Sequence, residues 1–234
     1  MATLYVVATP IGNLSDLSER AKSTPASVSM ILCEDTRVTG KLLSHYKIKT
    51  PMMTYHQHSG DVATKRVLEL LKEGKDLALV TDAGTPGISD PGGKLISSII
   101  KREQEGKSFS HMRNIFTSIS PVPGPSALVA ALSVAGVPAV EFVFLGFPPN
   151  KKGRQSFFDR LCVIESTAVI YESTHRILKT LEEISRRVPG RHLIVCRELT
   201  KLHETIYRGT ASEVTEALNW TSIKGEFVIV LAPL

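Results

Sequence analysis

Features that would reveal a function directly are scarce in this sequence, beginning with cysteine. Its 234 residues include only Cys33, Cys162 and Cys196, which are far apart and never form a C-x-x-C pair. An odd, widely spaced set of this kind argues against a paired-cysteine zinc site and against a disulfide framework. We therefore expect three buried free thiols in a reducing compartment.

Signals for membranes and secretion are also missing. The apolar stretch at 128–140 is broken by Ser133, Gly136 and Pro138, and it falls well short of the roughly 20 residues that a membrane span needs. The N-terminus shows no basic segment followed by a long apolar run, so no signal peptide is visible. These absences predict a cytoplasmic protein that does not associate with membranes.

The common nucleotide-binding and catalytic motifs are absent too. The turn after the first predicted strand, Thr9–Leu14, does not match G-x-G-x-x-G, and the chain contains no G-x-x-x-x-G-K-[ST]. These two mismatches exclude a Rossmann dinucleotide fingerprint and a P-loop. A nucleophile elbow and a histidine-rich metal pattern are also missing, so no metal site is expected.

The composition is that of a globular protein, with 42% hydrophobic and 22% charged residues. The net charge is +5, from 28 Lys and Arg against 23 Asp and Glu. That excess suits a polyanionic partner, but charge alone does not identify one.

Short apolar runs alternate with amphipathic stretches along the chain. In the first half, strands are predicted at 4–9, 29–33 and 76–81, and a helix begins near Asp16. This alternation predicts an N-terminal α/β domain with a mostly parallel sheet over 1–120, in which 103–118 is a polar surface insertion. The proline-rich segment 121–126 is predicted to be a linker. A second α/β domain with a mixed sheet follows over 127–234, and it includes a helix at 211–220 with Trp220 in the core.

Glycine- and proline-rich loops follow the predicted strands of the first half. Because the carboxyl ends of parallel strands share one edge of the sheet, these loops are expected to form a ligand-binding edge. Glycine lets backbone amides approach a ligand closely. The alternative is that these residues only turn the chain.

Several of these segments resemble the branch of the tetrapyrrole methylase superfamily that methylates ribosomal RNA. The matching segments are 5–14, 34–37, 81–92, 123–127, 144–147, 171–176, 197–201 and 224–226. The resemblance implies two α/β domains with S-adenosylmethionine (SAM) in the cleft between them, and a homodimer. It also implies methyl transfer to the ribose 2′-hydroxyl of a decoding-region cytidine in the 16S rRNA of the small ribosomal subunit.

The resemblance further implies which residues bind SAM. In the first half these are Pro10, Gly12, Asn13, Asp82, Gly84, Thr85, Pro86, Gly87, Ile88, Asp90, Pro123, Gly124 and Ser126. In the second half they are Phe144, Gly146, Phe147, Gly225 and Glu226.

The acceptor hydroxyl is a weak nucleophile that benefits from a base. Glu34 and Asp35, after the second strand, are the candidates. Arg37 is placed to pair with a carboxylate or a phosphate. The alternative is that Asp35 and Arg37 form a structural ion pair.

The sequence departs from the family pattern in the lengthened 103–118 region and in ending soon after its last predicted strand. Two other functions remain open. One is a methylase of the same superfamily that acts on a tetrapyrrole, and the other is a SAM-binding protein without catalysis.

Overall fold

Residues Met1–Ser126 and Ala127–Leu234 form two compact units. The computed structural model describes residues 2–56, 59–90, 92–105 and 118–234. Most of the predicted insertion at 103–118 lies outside the described residues. Its first residues belong instead to a helix that ends at Glu105, and Ser118 begins a strand. No helix in the described ranges is both long and apolar enough to cross a membrane.

The first unit is built on a five-stranded sheet in the order β3-β2-β4-β1-β5. All four strand pairings are parallel, which confirms the predicted sheet type. Its strands are β1 (Thr3–Val7), β2 (Met30–Cys33), β3 (Met52–Thr54), β4 (Leu77–Val80) and β5 (Ser118–Val122). Its helices are α1 (Glu19–Ser27), α2 (Thr36–His45), α3 (Gly60–Lys72) and α4 (Gly92–Glu105), with a 3₁₀ turn at Leu14–Asp16.

Helices cover both faces of this sheet. Leu77 and Leu79 of β4 pack into a core with residues of α3 and α4. Ala78 and Val80, which alternate with them, pack into a second core with residues of α1 and α2. Because successive side chains of a strand point to opposite faces, a sheet buried on both sides needs the continuous apolar runs seen in the sequence.

Helix α1 begins later than predicted. The expected capping residue Asp16 lies in the 3₁₀ turn, and Ser18 is the actual cap, with its side chain accepting a hydrogen bond from Ala21 N at 3.1 Å. Serine and aspartate are both good caps, so the local sequence allowed either start.

The predicted linker at 121–126 overlaps the sheet. Pro121 and Val122 complete β5, which pairs with β1 at the edge of the sheet. A proline has no N–H to donate to a neighbouring strand. An edge strand tolerates a proline because one of its sides has no partner strand. The irregular part of this segment therefore starts at Pro123.

The second unit contains a mixed sheet in the order β6-β7-β10-β8-β9. Strand β6 runs parallel to β7, and the other pairings are antiparallel. Its strands are β6 (Phe142–Phe144), β7 (Thr167–Ser173), β8 (Leu193–Arg197), β9 (Thr205–Gly209) and β10 (Glu226–Leu231). Its helices are α5 (Ala127–Ala135), α6 (Arg154–Cys162), α7 (Ile177–Arg187) and α8 (Ala211–Trp220).

The prediction that Trp220 belongs to the core is wrong, because 84% of this residue is exposed. The buried positions of α8 are Ala211, Val214 and Leu218, which recur at helical spacing. Trp220 follows Leu218 by two positions and so points away from that face. The three cysteines, by contrast, are free and buried, as expected.

Candidate functional site

The loops that follow the strands of the first sheet meet at one edge, because the strands are parallel. Pro10, Gly12 and Asn13 follow β1, and Glu34, Asp35 and Arg37 follow β2. The segment 82–90 follows β4, and Pro123, Gly124 and Ser126 follow β5. Every residue that we predicted as functional in the first half therefore lies at the carboxyl ends of these parallel strands. We call this side of the sheet the parallel edge.

Hydrogen bonds join three of these loops to one another. Thr9 N donates to Gly84 O at 2.9 Å, and Gly84 N donates back to Thr9 O at 3.1 Å. The Thr85 hydroxyl donates to Pro125 O at 3.1 Å. These bonds fix the spacing between the loops after β1, β4 and β5, so the parallel edge has a defined shape.

Glycine is strongly favoured at two positions of this edge. Gly84 has a φ of +86°, which side chains disfavour. At Gly124, an added Cβ would lie 3.0 Å from the Cβ of Ala8, in the chain leaving β1. The backbone after β5 thus approaches that after β1 so closely that a side chain here would require Ala8 to shift by a few tenths of an ångström, which favours more than a turning role for this residue.

Asp90 organises the loop after β4. Its Oδ1 atom accepts hydrogen bonds from Gly87 N at 2.6 Å and from Gly92 N at 2.7 Å. Its Oδ2 atom is buried and has no hydrogen-bond partner within the described residues. Asp90 also lines a small pocket together with Glu34 and Tyr55. A buried acceptor without a partner is costly, and the pocket beside it, about 10 Å³ in volume, has room for one small donor such as a water or an ammonium group.

Negative charge is concentrated around Glu34. Burial raises the pKa of the Glu34 carboxyl above its usual value, and the nearby charges of Asp82 and Asp90 raise it further. Burial, with the charge of Asp35, also raises the pKa of Asp82, although a hydrogen bond from the Asp35 amide opposes this. Such a cluster favours a cationic group on a ligand, and a carboxylate with a raised pKa is a better proton acceptor.

Asp35 serves a different purpose from its neighbour. It caps helix α2, with Oδ1 accepting from Arg37 N at 2.8 Å, and it forms an ion pair with the Arg37 guanidinium at 2.6 Å. Hydrogen bonds from Arg37 lower the pKa of Asp35 to about 2. The structure thus contains the ion pair that is the alternative to a catalytic role, and a carboxylate of such low pKa is a poor base.

The side chain of Asn13 also stabilises the local backbone. Its side chain caps the 3₁₀ turn by accepting a hydrogen bond from Ser15 N at 3.0 Å. The Tyr46 hydroxyl donates to Leu14 O at 2.6 Å and anchors the same loop. Asn13 therefore shapes the loop through its side-chain oxygen.

The residues predicted in the second half also share one edge, but of the mixed sheet. Strands β6, β7 and β8 end there, and β9 and β10 begin there. Phe144, Gly146 and Phe147 follow or end β6, and Gly225 and Glu226 lie at the start of β10. We call this the mixed edge.

An aromatic cluster lies at the mixed edge. The ring of Tyr171 packs edge-on against Phe144 and Phe147, with centroids 4.9 and 5.4 Å apart. Its hydroxyl accepts a hydrogen bond from Leu128 N, at the start of α5, at 3.1 Å. Tyr171 thereby fixes both phenylalanines, yet it was not among the predicted site residues. The matching segment 171–176 was the signal that pointed to it.

Gly225 and Glu226 lie beside a strained loop that follows β8. Glu198 and Thr200 both have positive φ, at 53° and 66°. A Cβ on Gly225 would lie 2.6 Å from the Cγ of Glu198, and the Lys201 ammonium bridges Glu198 at 2.9 Å and Glu226 at 2.8 Å. Strain of this kind persists where surrounding contacts enforce it, often at functional sites.

Comparisons with known proteins agree with this architecture. A family model described as Tetrapyrrole (Corrin/Porphyrin) Methylases matches residues 3–215. A protein of Synechocystis named ribosomal RNA small subunit methyltransferase I is 42% identical over 99% of this chain and 79% of its own length. A protein of the same name from Thermotoga maritima is 39% identical over 99% of both chains.

Solved structures share the fold at much lower identity. The methyltransferase CobJ superposes with a TM-score of 0.69 at 17% identity, covering 100% of this chain and 95% of that one. Diphthine synthase gives the same TM-score at 13% identity, covering 99% and 90%. At these identities the likeness concerns the fold alone.

Proposed function

The chain belongs to the tetrapyrrole methylase family and, within it, to the ribosomal RNA small subunit methyltransferase I group, and from that premise we propose which reaction it performs. It is a SAM-dependent methyltransferase that acts on ribosomal RNA. Its target, in our proposal, is the ribose 2′-hydroxyl of a decoding-region cytidine in the 16S rRNA, and its substrate particle is the small ribosomal subunit.

Sequence similarity supports an RNA substrate over a tetrapyrrole. The fold is common to corrin and porphyrin methylases, diphthine synthase and this chain, so it does not separate their substrates. Relatives that are 39–42% identical over nearly the whole chain carry a ribosomal RNA name. A tetrapyrrole substrate is supported by the description of the family model and by the shared fold, but not by the names of these relatives.

The structural observation that carries the proposal is the shape and charge of the parallel edge. SAM, which supplies an activated methyl group, carries a sulfonium cation, an ammonium cation, a carboxylate and an adenosine. Asp90 Oδ2 is a buried acceptor that an ammonium would satisfy, and the close approach of Gly124 to Ala8 shapes a backbone wall. The negative charge around Glu34 suits the cations. These features fit SAM, so we propose that the predicted residues of this edge bind it.

Glu34 is our candidate for accepting the proton of the ribose hydroxyl. Its raised pKa makes it the stronger base of the two carboxylates after β2. Asp35 instead holds the start of α2 and the guanidinium of Arg37, so we assign both of these residues to positioning Glu34.

The remaining assignments extend the resemblance. We propose that Phe144, Gly146, Phe147, Gly225 and Glu226 also contact SAM. The protein is proposed to be a homodimer, and its ribosomal substrate favours the cytoplasm as its location.

The proposal is tested with small subunits from cells that lack the modification. They are incubated with the protein and methyl-labelled SAM, and the 16S rRNA is digested to locate the label. We expect a single labelled ribose in the decoding region, and no label on a porphyrinoid precursor supplied in parallel. Label on the porphyrinoid, or on a base rather than a ribose, would contradict the proposal.

A further inference from the structure

A buried carboxylate lies behind the mixed edge, in a part of the chain to which the proposed reaction assigns no role. Glu172, near the end of β7, is only 1% exposed. Its Oε1 atom accepts from Ser173 N at 2.8 Å and pairs with Arg176 Nε at 2.9 Å, and its Oε2 atom accepts from the Thr180 hydroxyl at 2.6 Å. A buried charge is stable only when it is paired and hydrogen-bonded in this way.

Two arginines extend from this carboxylate to the loop after β6. Arg176 Nη1 donates to Pro148 O at 2.8 Å, and Arg154 Nη1 donates to Pro149 O at 3.2 Å. Arg154 is connected to Glu172 through Thr180, to which its Nη2 donates at 3.0 Å. Consecutive prolines have no N–H groups with which to bond a loop to its surroundings. The guanidinium groups therefore hold the loop by its carbonyl oxygens.

Arg176 makes two more contacts with the same loop. Its Nη1 atom donates to Asn150 Oδ1 at 2.6 Å, and its guanidinium lies 5.9 Å from the centre of the Phe147 ring. The planar fork of arginine can satisfy a carboxylate on one side and loop acceptors on another, which a lysine cannot do. One side chain thus joins the buried Glu172 to both ends of the segment 147–150.

We propose that Arg176, anchored on Glu172, is a positioning residue for methyl transfer, because it holds the segment 147–150 so that the half-exposed Phe147 ring is fixed for contact with SAM. This inference rests on the proposed function, in which Phe147 is a cofactor contact. Arg176 itself needs no contact with SAM, since its role is carried by the loop. A small displacement of a positioned group costs much of its binding contribution.

The test compares three variants with the wild-type chain: Arg176→Lys, Arg176→Ala and Asn150→Ala. The Kd for SAM is measured by calorimetry without RNA, the KM for SAM and kcat are measured on small subunits, and thermal unfolding is followed in parallel. We expect Kd and KM for SAM to rise about tenfold in Arg176→Ala. Arg176→Lys and Asn150→Ala should show smaller rises, because each keeps part of the network.

Arg186→Lys is the matched control. Arg186 lies on α7, the helix that Arg176 immediately precedes, and pairs at the surface with Glu182, so its conservative change should leave the Kd for SAM unchanged. Arg176→Ala leaves the buried Glu172 without its ion-pair partner and lowers stability. Asn150→Ala keeps that ion pair, so a change in its Kd for SAM is not explained by a loss of stability.

The outcomes separate the two claims. A wild-type chain that bound no SAM would contradict the proposed function itself. Wild-type binding together with an unchanged Kd and KM for SAM in Arg176→Lys and Asn150→Ala would overturn only the positioning role. A fall in melting temperature without any change in the Kd for SAM would show that the network is merely structural.

Discussion

The two sheet edges are built by opposite means. At the parallel edge, backbone groups define the surface, and Gly84 and Gly124 are needed because a side chain would occupy the space or strain the turn. At the mixed edge, side chains define the surface, through the ring of Tyr171 and the charge of Lys201, while the buried Glu172 holds Arg176 behind them. Substitutions that add side-chain atoms should therefore disrupt the parallel edge most. Substitutions that remove side-chain atoms should disrupt the mixed edge most.

Gly225 and Glu34 are the positions at which this contrast breaks down. Gly225 is a glycine of the mixed edge that also tolerates no added atom. Glu34 is a side chain of the parallel edge whose charge matters more than its shape. Substitutions at these two positions, and at two residues that follow the contrast, test how far it extends.

The largest effect is expected for Glu34→Gln. Loss of a general base lowers kcat by about 100-fold or more, and loss of the negative charge should also raise the Kd for SAM, by a much smaller factor, because the glutamine keeps the shape but not the attraction for the cations. In the wild type, kcat should fall as the pH falls through the raised pKa of Glu34, since only the carboxylate accepts a proton. Single-turnover rates across pH provide the measurement. A full rate with an unchanged pH profile in Glu34→Gln would remove Glu34 as the base.

Gly225→Ala should be the next most harmful change. The residue has a φ of +130°, and the new Cβ would lie 2.6 Å from Glu198 Cγ. We expect unfolding free energy to fall by about 2 kcal/mol, from backbone strain and displacement of Glu198. Denaturant unfolding measures this loss. Adding Glu198→Ala removes the clashing atom but not the strained φ, so the double variant should recover part of the stability. Strictly additive losses would show that the clash is not the cause.

Gly124→Ala should weaken SAM binding about tenfold, because the chains after β1 and β5 must separate to admit the methyl group. Its destabilisation should stay near 1 kcal/mol. Gly190→Ala is the matched control, since an added Cβ there meets no atom within 4 Å. Calorimetric titration with SAM compares the two variants. Equal affinities would mean that the close approach to Ala8 does not shape the binding site.

The smallest effect is expected for Asp35→Asn. The pKa of Asp35 is lowered to about 2 by Arg37, so its contribution to stability is complete above the ordinary value near 3.8. That contribution should be lost as the pH falls from there towards about 2. Wild type and variant should thus differ slightly in melting temperature at neutral pH and converge in acid. A difference that grew in acid would contradict the assigned pKa direction.

The sequence predicted the parallel edge better than the mixed edge, for a physical reason. Glycine and proline control the backbone locally, so the loops at 82–90 and 123–126 could be recognised from their amino-acid sequence. The role of Glu172 depends on partners at 176 and 180 that only the folded strand and helix bring together. The same holds for Tyr171, whose hydroxyl bonds the amide of Leu128 from 43 positions away.

Local ambiguity explains most of the other differences. Ser18 and Asp16 are equivalent as caps in sequence terms, and only tertiary packing selects between them. Glu34 and Asp35 are adjacent acids that the sequence could not rank. The fold separates them by giving Asp35 a helix to cap and leaving Glu34 in a partly buried, acidic setting.

The most direct test of the account is calorimetric titration of the intact chain with SAM. The parallel edge has a glycine-lined wall and an Asp90 oxygen without a hydrogen-bond partner among the described residues, and it predicts saturable binding that Asp90→Asn weakens. Absence of binding by the wild-type chain, or equal affinity in Asp90→Asn, would contradict the claim that this edge holds the methyl donor.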